Sequence, residues 1–240
     1  MEELLPPVIS FHFGLPEAGL LRRLKAVGIK IWGCATTVAE ARWLAERGVD
    51  AVIAQGAEAG GHRGIFLTDD PVRDASKQIG TLALVPQVAD AVGDIPVIAA
   101  GGIADGRGVL AALVLGASAV QVGTAFLVTP EAATSAVHRA ALKTATDDGT
   151  AFTNLLSGRP ARGLINRVMA ELGPISRDAP AFPTAGAALA PLKAKAEAES
   201  RSDFSSVWSG QAASLAVEEP AADVTRRLWA EAEALRQHFL

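Results

Sequence analysis

The stretch from Gln55 to Gly64, Gln-Gly-Ala-Glu-Ala-Gly-Gly-His-Arg-Gly, concentrates groups that can act on a small ligand. His62 titrates near neutral pH, so it can take or give a proton or hydrogen-bond a polar substrate. Gly60 and Gly61 let the backbone lie against a flat ring, and Gln55 carries an amide able to hydrogen-bond the edge of one. A lone histidine is more often structural. This one follows a strand in a glycine-rich loop, the end of a parallel α/β strand that faces the active site, and that makes His62 the catalytic candidate. Glu58 reads equally as its carboxylate partner or as one end of a loop ion pair with Arg63.

A second group suits an anion. Ala99-Ala100-Gly101-Gly102-Ile103-Ala104-Asp105-Gly106 runs from a strand through paired glycines into a helix, and Gln121-Val122-Gly123-Thr124 ends the next strand. Backbone amides beside glycine can approach a phosphate, and a helix amino terminus adds a favourable dipole. Tight turns that merely need glycine are the plainer alternative. Two adjacent strands ending alike favour phosphate, because in (β/α)8 enzymes the loops after the last two strands form that site.

Weaker candidates surround these. His12 ends the first strand and reads equally as a rim or a packing residue; Cys34, Thr36 and Thr37 end the second and could line a pocket. His138 and His238 fall on helices and are expected to be solvated. Arg159, Arg162 and Arg167 could meet an anionic substrate, but a solvated or ion-paired face is the better expectation.

The elements that must position these groups alternate. Strands are expected at 8–13, 30–35, 50–55, 96–100 and 118–122, and helices at 16–27, 38–47, 84–92 and 106–115. Continuous β-branched runs separated by helices predict a parallel sheet covered on both faces. Gly33 to Gly48 and Gly101 to Gly116 repeat one βα unit at the same spacing. After Glu131 the pattern changes: a helix over 131–146, a polar segment over 149–169, an irregular proline-rich stretch over 174–191, and helices over 192–199, with Pro191 in its first turn, and 224–239. This divides the chain into a βα-repeat portion (1–130), of a barrel or a doubly wound sheet, a small, mainly helical subdomain (131–214) and a docking helix (215–240).

Composition narrows the function. The net charge of −4 with scattered Lys and Arg argues against a nucleic-acid partner. The single cysteine, Cys34, leaves no disulfide framework or multi-cysteine metal site, and with no signal-peptide pattern it fits the cytoplasm. Apolar runs stop short of a membrane span.

Together these segments, with Ser157 to Met169 and Trp208 to Ala213, resemble the nitronate monooxygenase family. The resemblance implies a TIM-type (β/α)8 barrel binding FMN, with a substrate domain after the eighth strand. It implies flavin contacts at Gln55, Gly60, Gly102 and Gln121 to Thr124, His62 as the catalytic residue, and oxidation of alkyl nitronates such as propionate 3-nitronate by O2, without metal or nicotinamide. Five strands are visible where a closed barrel needs eight, so strands four to eight are expected, with about 90 residues of barrel absent before Val8. An open five-stranded sheet would leave a bare edge that natural proteins avoid, and association into an oligomer would then be expected. A flavin-dependent enoyl-acyl-carrier-protein reductase and a truncated barrel without activity are the competing expectations.

Overall fold

The computed structural model describes residues 3–239. Strands β1 (Val8–Phe11), β2 (Lys30–Ala35) and β3 (Ala51–Gln55) are joined by α1 (Ala18–Ala26) and α2 (Val38–Glu46). After the two-residue β4 (Gly61–His62) come the short α3 (Pro71–Asp74), α4 (Thr81–Val92), β5 (Val97–Ala100), α5 (Gly106–Val114) and β6 (Ala119–Gln121). β1, β2, β3, β5 and β6 form one parallel sheet in that order. Among the described residues β1 and β6 are its two edges, so the sheet is open. Its edge strands are partly exposed, whereas every residue of β3 and β5 is buried.

Side chains alternate across a strand. Ile31, Val52, Ala54, Val97 and Ala99 face the helices and form the main core with Leu44, Leu84, Val85 and Val88. Cys34, Ile53, Ile98 and Ala100 make a thin second cluster on the other face. Each fully buried leucine or valine contributes about 1.5–3 kcal/mol. α9 (Ala221–Phe239) buries Val224, Leu228 and Ala232, a stripe at four-residue spacing, against the sheet's helical layer. Gly106 lets it come close, since a Cβ there would lie 2.3 Å from that of Glu231.

Several expectations shift. β1 stops at Phe11, two residues early, because Phe13 (φ 65°) and Gly14 (φ 87°) turn the backbone left-handed. α4 starts at Thr81, before Pro86: the carboxylate of Glu58, from another loop, accepts from the Thr81 amide and hydroxyl and caps the helix. The two repeats differ at their starts. Gly33 lies within β2, where a Cβ would meet Leu44 at 2.6 Å, whereas Gly101 follows β5.

In the carboxyl-terminal part α6 covers only Ala136–Lys143, started by Ser135 accepting from the His138 amide. The polar segment over 149–169 is structured: β7 (Thr150–Thr153) and β8 (Ala161–Leu164) form an antiparallel hairpin, followed by α7 (Arg167–Leu172). α8 runs over Ala185–Ala198, so Pro191 lies in its interior, carried by alanines of high helix propensity. Gly61–His62 is the third strand of the small sheet, pairing with Arg162 and Ala161. The loop of the candidate histidine thus joins the large sheet to the small one, as α9 joins the sheet's helical layer to the end of the chain. No helix among the described residues is long and apolar enough to cross a membrane.

Candidate active site

The candidate groups gather at the carboxyl ends of the parallel strands. Register aligns Gln55 with Ala100 and Ala100 with Gln121, so two amides flank a small residue across three adjacent strands. They open onto a cleft whose walls include Gln55, Gly60, Gly61, Gly101, Gly102, Gln121, Gly123 and Thr124. Val122 lies elsewhere. Its side chain joins Val109, Val120 and Phe126 in a groove on the outer side of the sheet.

Residues 61–64 are pinned at nearly every polar atom. Besides the pairing with β8, the Arg63 amide donates to Pro160 O at 2.8 Å. Gln55 Nε2 donates to His62 O at 3.0 Å, and Gln55 Oε1 accepts from the Gly64 amide at 2.8 Å. His12 Nε2 approaches the same His62 carbonyl at 3.1 Å. The Gln55 amide therefore holds the histidine's own loop. Glu40, 1% exposed, accepts from Thr36 and from the amides of Phe66 and Leu67, fixing the far end of that loop.

Arg63 and Glu58 do not form the expected loop ion pair. Arg63 is fully buried and donates to Gly56 O, Gln55 O and Gln78 Oε1, while Glu58 holds Thr81. Burial lowers the Arg63 pKa to about 10. Arg162 is also buried, contrary to a solvated face: it donates to Ala57 O and Thr150 Oγ1 and stacks 4.2 Å over Phe152. Arg167 does ion-pair at the surface, with Glu171 at 2.6 Å.

The ring of His62 meets groups remote in sequence. Nε2 lies 2.8 Å from Ser157 Oγ, and Phe13, Phe182 and Trp208 surround the ring at centroid distances of 6.1, 5.6 and 5.4 Å. A hydroxyl has one hydrogen, and that of Ser157 reaches the Arg159 carbonyl at 3.1 Å. Assigning that hydrogen to the carbonyl makes Ser157 Oγ the acceptor of His62 Nε2–H and leaves Nδ1 as the basic atom. Burial, then the charges of His12 and Arg159, hold the His62 pKa below its ordinary value. Ser157, Phe13, Phe182 and Trp208 carry no local signature of this role; the segments of the resemblance at 8–14, 157–169 and 208–213 contain three of them, and Phe182 lies outside all of them. His138 is half-buried rather than solvated, with Nε2 2.9 Å from Trp208 O. Cys34 is buried, its thiol pKa pushed up to about 12 by burial, which makes it an inert wall residue.

The anion site differs from the expectation in one respect. The amino terminus of α5 is already filled: Asp105 accepts from the Arg107 and Gly108 amides, and Glu231 from that of Gly106. What remains open are the amides of Gly102, Ile103, Ala104, Gly123 and Thr124, which have no acceptor among the described residues. All five residues line the one cleft. A Cβ on Gly123 would meet nothing within 4 Å, whereas Gly60 is bare because Gly210 packs against it, 2.5 Å from where a Cβ would stand. Gly210 is held in turn by Thr124 Oγ1 at 2.9 Å.

The nitronate monooxygenase family model matches residues 2–231. A nitronate monooxygenase from Pseudomonas aeruginosa is 50% identical over 93% of this chain and 62% of its own length, and a probable nitronate monooxygenase from Staphylococcus aureus is 40% identical over 97% and 64%. Among solved structures, nitroalkane oxidase from Streptomyces ansochromogenes superposes with a TM-score of 0.89 at 41% identity, over 98% of this chain and 66% of that one. FabK from Thermotoga maritima gives 0.76 at 32%, over 99% and 71%. The chain spans about three fifths of the length of the curated relatives it matches. By the extent of the family match and the level of these identities, the chain belongs to the nitronate monooxygenase family.

Proposed function

We propose that the chain carries the FMN-binding and catalytic groups of a nitronate monooxygenase, which oxidises alkyl nitronates with O2 to a carbonyl compound and nitrite. The observation that carries this reading is a single cleft lined by the five residues with open backbone amides and by Gly61 and Trp208, the chain neighbour and ring neighbour of His62. Two turns of free amides suit a phosphate. The backbone of Gly61, and Gln55 and Gln121 across the strand ends, suit a planar ring beyond it. The five strands read as an arc of a (β/α)8 barrel, supported by superposition on longer chains. Residues 1–130 hold the cofactor, 131–214 bring Ser157, Phe182 and Trp208 to the substrate side, and the helix after 215 docks on α5.

When bound, FMN supplies the electron transfer between nitronate and oxygen. The protein's own part is binding and proton placement. Gly102, Ile103, Ala104, Gly123 and Thr124 donate to the phosphate. Ser157 orients His62, whose Nδ1 takes the proton at carbon from a neutral nitroalkane and hydrogen-bonds a substrate that is already a nitronate. Phe13, Phe182 and Trp208 exclude water around it.

The test is nitrite release from an alkyl nitronate under air by the purified chain supplied with FMN. Nitrite formed with consumption of oxygen supports the reading. Bleaching of the flavin by NADH without nitrite release would replace it with the reductase reading.

A further inference from the structure

The turn that offers its amides to the cleft is anchored from the far end of the chain. α5 begins at Gly106, and the first amides of a helix have no acceptor within it. Asp105 accepts from the Arg107 and Gly108 amides, which leaves that of Gly106. Glu231 of α9 takes it: Oε2 accepts from the Gly106 amide at 2.9 Å across 125 residues of chain. The close approach is built in, because a Cβ on Gly106 would stand 2.3 Å from that of Glu231 and 2.5 Å from the Ala232 nitrogen. Arg227, one turn earlier on α9, ties Glu219 with Nε at 2.6 Å and lies 3.5 Å from Glu231 Oε1 with Nη1, which aims the carboxylate. The upstream end of the turn rests on Glu58, whose Cβ would lie 3.2 Å from a Cβ on Gly102. Between these two supports are the open amides of Gly102, Ile103 and Ala104.

We infer that Glu231 is a positioning residue for the cofactor phosphate: by holding the Gly106 amide it fixes the 102–105 turn, which makes the carboxyl-terminal helix part of the cofactor-binding machinery. The inference rests on the reading that these amides hold the phosphate of FMN. The turn needs an outside hold, since it opens on two glycines with φ of 123° and 69°, residues with the widest backbone freedom. Donors fixed in advance bind more tightly than donors that must be ordered by the ligand. Glu231 acts through the backbone, because its own charge beside a phosphate would repel it. The two effects have opposite signs. A hold on the turn predicts weaker phosphate binding when the carboxylate is removed, whereas a bare charge effect predicts stronger binding.

The experiment is equilibrium dialysis of the flavin-free chain against FMN and against riboflavin, which differ only in the phosphate. It compares wild type, Glu231→Ala and Glu231→Gln, with a thermal melt of each. Wild type is expected to favour FMN. Glu231→Ala should lower FMN affinity about fivefold or more and leave riboflavin affinity unchanged. Glu231→Gln keeps an acceptor for the Gly106 amide and should hold FMN at least as tightly as wild type. A gain of FMN affinity in both variants, or an equal loss of FMN and riboflavin in step with Tm, would overturn the inference. A preference for FMN that survives intact in Glu231→Ala would overturn it alone. Equal affinity of wild type for the two flavins would overturn the phosphate reading itself and the inference with it.

Discussion

His62 Nε2 and Ser157 Oγ meet at 2.8 Å across 95 residues of chain, and the hydroxyl lies 3.1 Å from the Arg159 carbonyl, to which it can donate. One hydrogen bond thereby fixes both the tautomer and the aim of the candidate base. Ser157→Ala leaves the ring in place among its aromatic neighbours but frees its tautomer. Turnover of a neutral nitroalkane should fall about tenfold to a hundredfold, within the range of general-base contributions. KM for the corresponding nitronate should change far less, since that substrate needs no proton removed. Steady-state kinetics on the matched pair checks this; equal loss on both would deny the positioning role.

The pH profile follows from the environment of His62. Burial first, then the charges of His12 and Arg159, favour the neutral ring, so the pKa lies below the ordinary 6.5. A base works when unprotonated, so activity on neutral nitroalkanes should persist below pH 6.5 and decline only on the acid side of it. Removing the Arg159 charge takes away one of these causes, and the acid limb should then move up in pH. A limb above 6.5 in wild type, or one that moves down in Arg159→Met, would contradict the assignment.

Arg63 is a stability prediction rather than a catalytic one. Arg63→Met removes the donor to the Gln55 carbonyl and Gln78 Oε1, while the Gly56 carbonyl keeps the Ala59 amide. Buried unsatisfied acceptors cost about 1–3 kcal/mol each, so a loss of about 3 kcal/mol is expected. In a chain of this size that lowers Tm by about 6–12 °C, readable in a thermal melt. A shift of less than about 3 °C would mean that solvent reaches those acceptors.

Gly123 separates binding from folding. Its φ of −113° suits any residue and a Cβ there meets nothing within 4 Å, so Gly123→Ala and Gly123→Asp should melt like wild type. The carboxylate of the aspartate variant would stand among the amides proposed to hold a phosphate. FMN content after dialysis should be retained in Gly123→Ala and lost in Gly123→Asp, with affinity down about tenfold or more. Undiminished flavin in the aspartate variant would move the phosphate elsewhere.

Local sequence carried the sheet and the histidine loop, because both are written in short-range patterns. The apolar run Lys30–Ala35 gave β2 to the residue, and the glycines around His62 marked its loop. Partners that come from afar left no such trace. The cap of α4 is Glu58, 23 residues before it, and the hydroxyl on His62 is Ser157, in a hairpin whose sequence reads only as a polar segment. Arg162 resembled a surface arginine because burial of its guanidinium depends on Ala57 and Thr150, from separate elements. The anion site was legible as glycine turns. That Glu231 of α9 fills the α5 terminus, leaving only the turn amides, needed the tertiary structure.

The most direct test is initial nitrite release under air from propyl-1-nitronate and from neutral 1-nitropropane, for FMN-loaded wild type and His62→Ala of matched flavin content. Wild type should release nitrite from both. His62→Ala should lose about 10²-fold or more on the neutral substrate while keeping a larger share of its rate on the nitronate. Equal rates for wild type and His62→Ala on 1-nitropropane would contradict His62 as the base of this site.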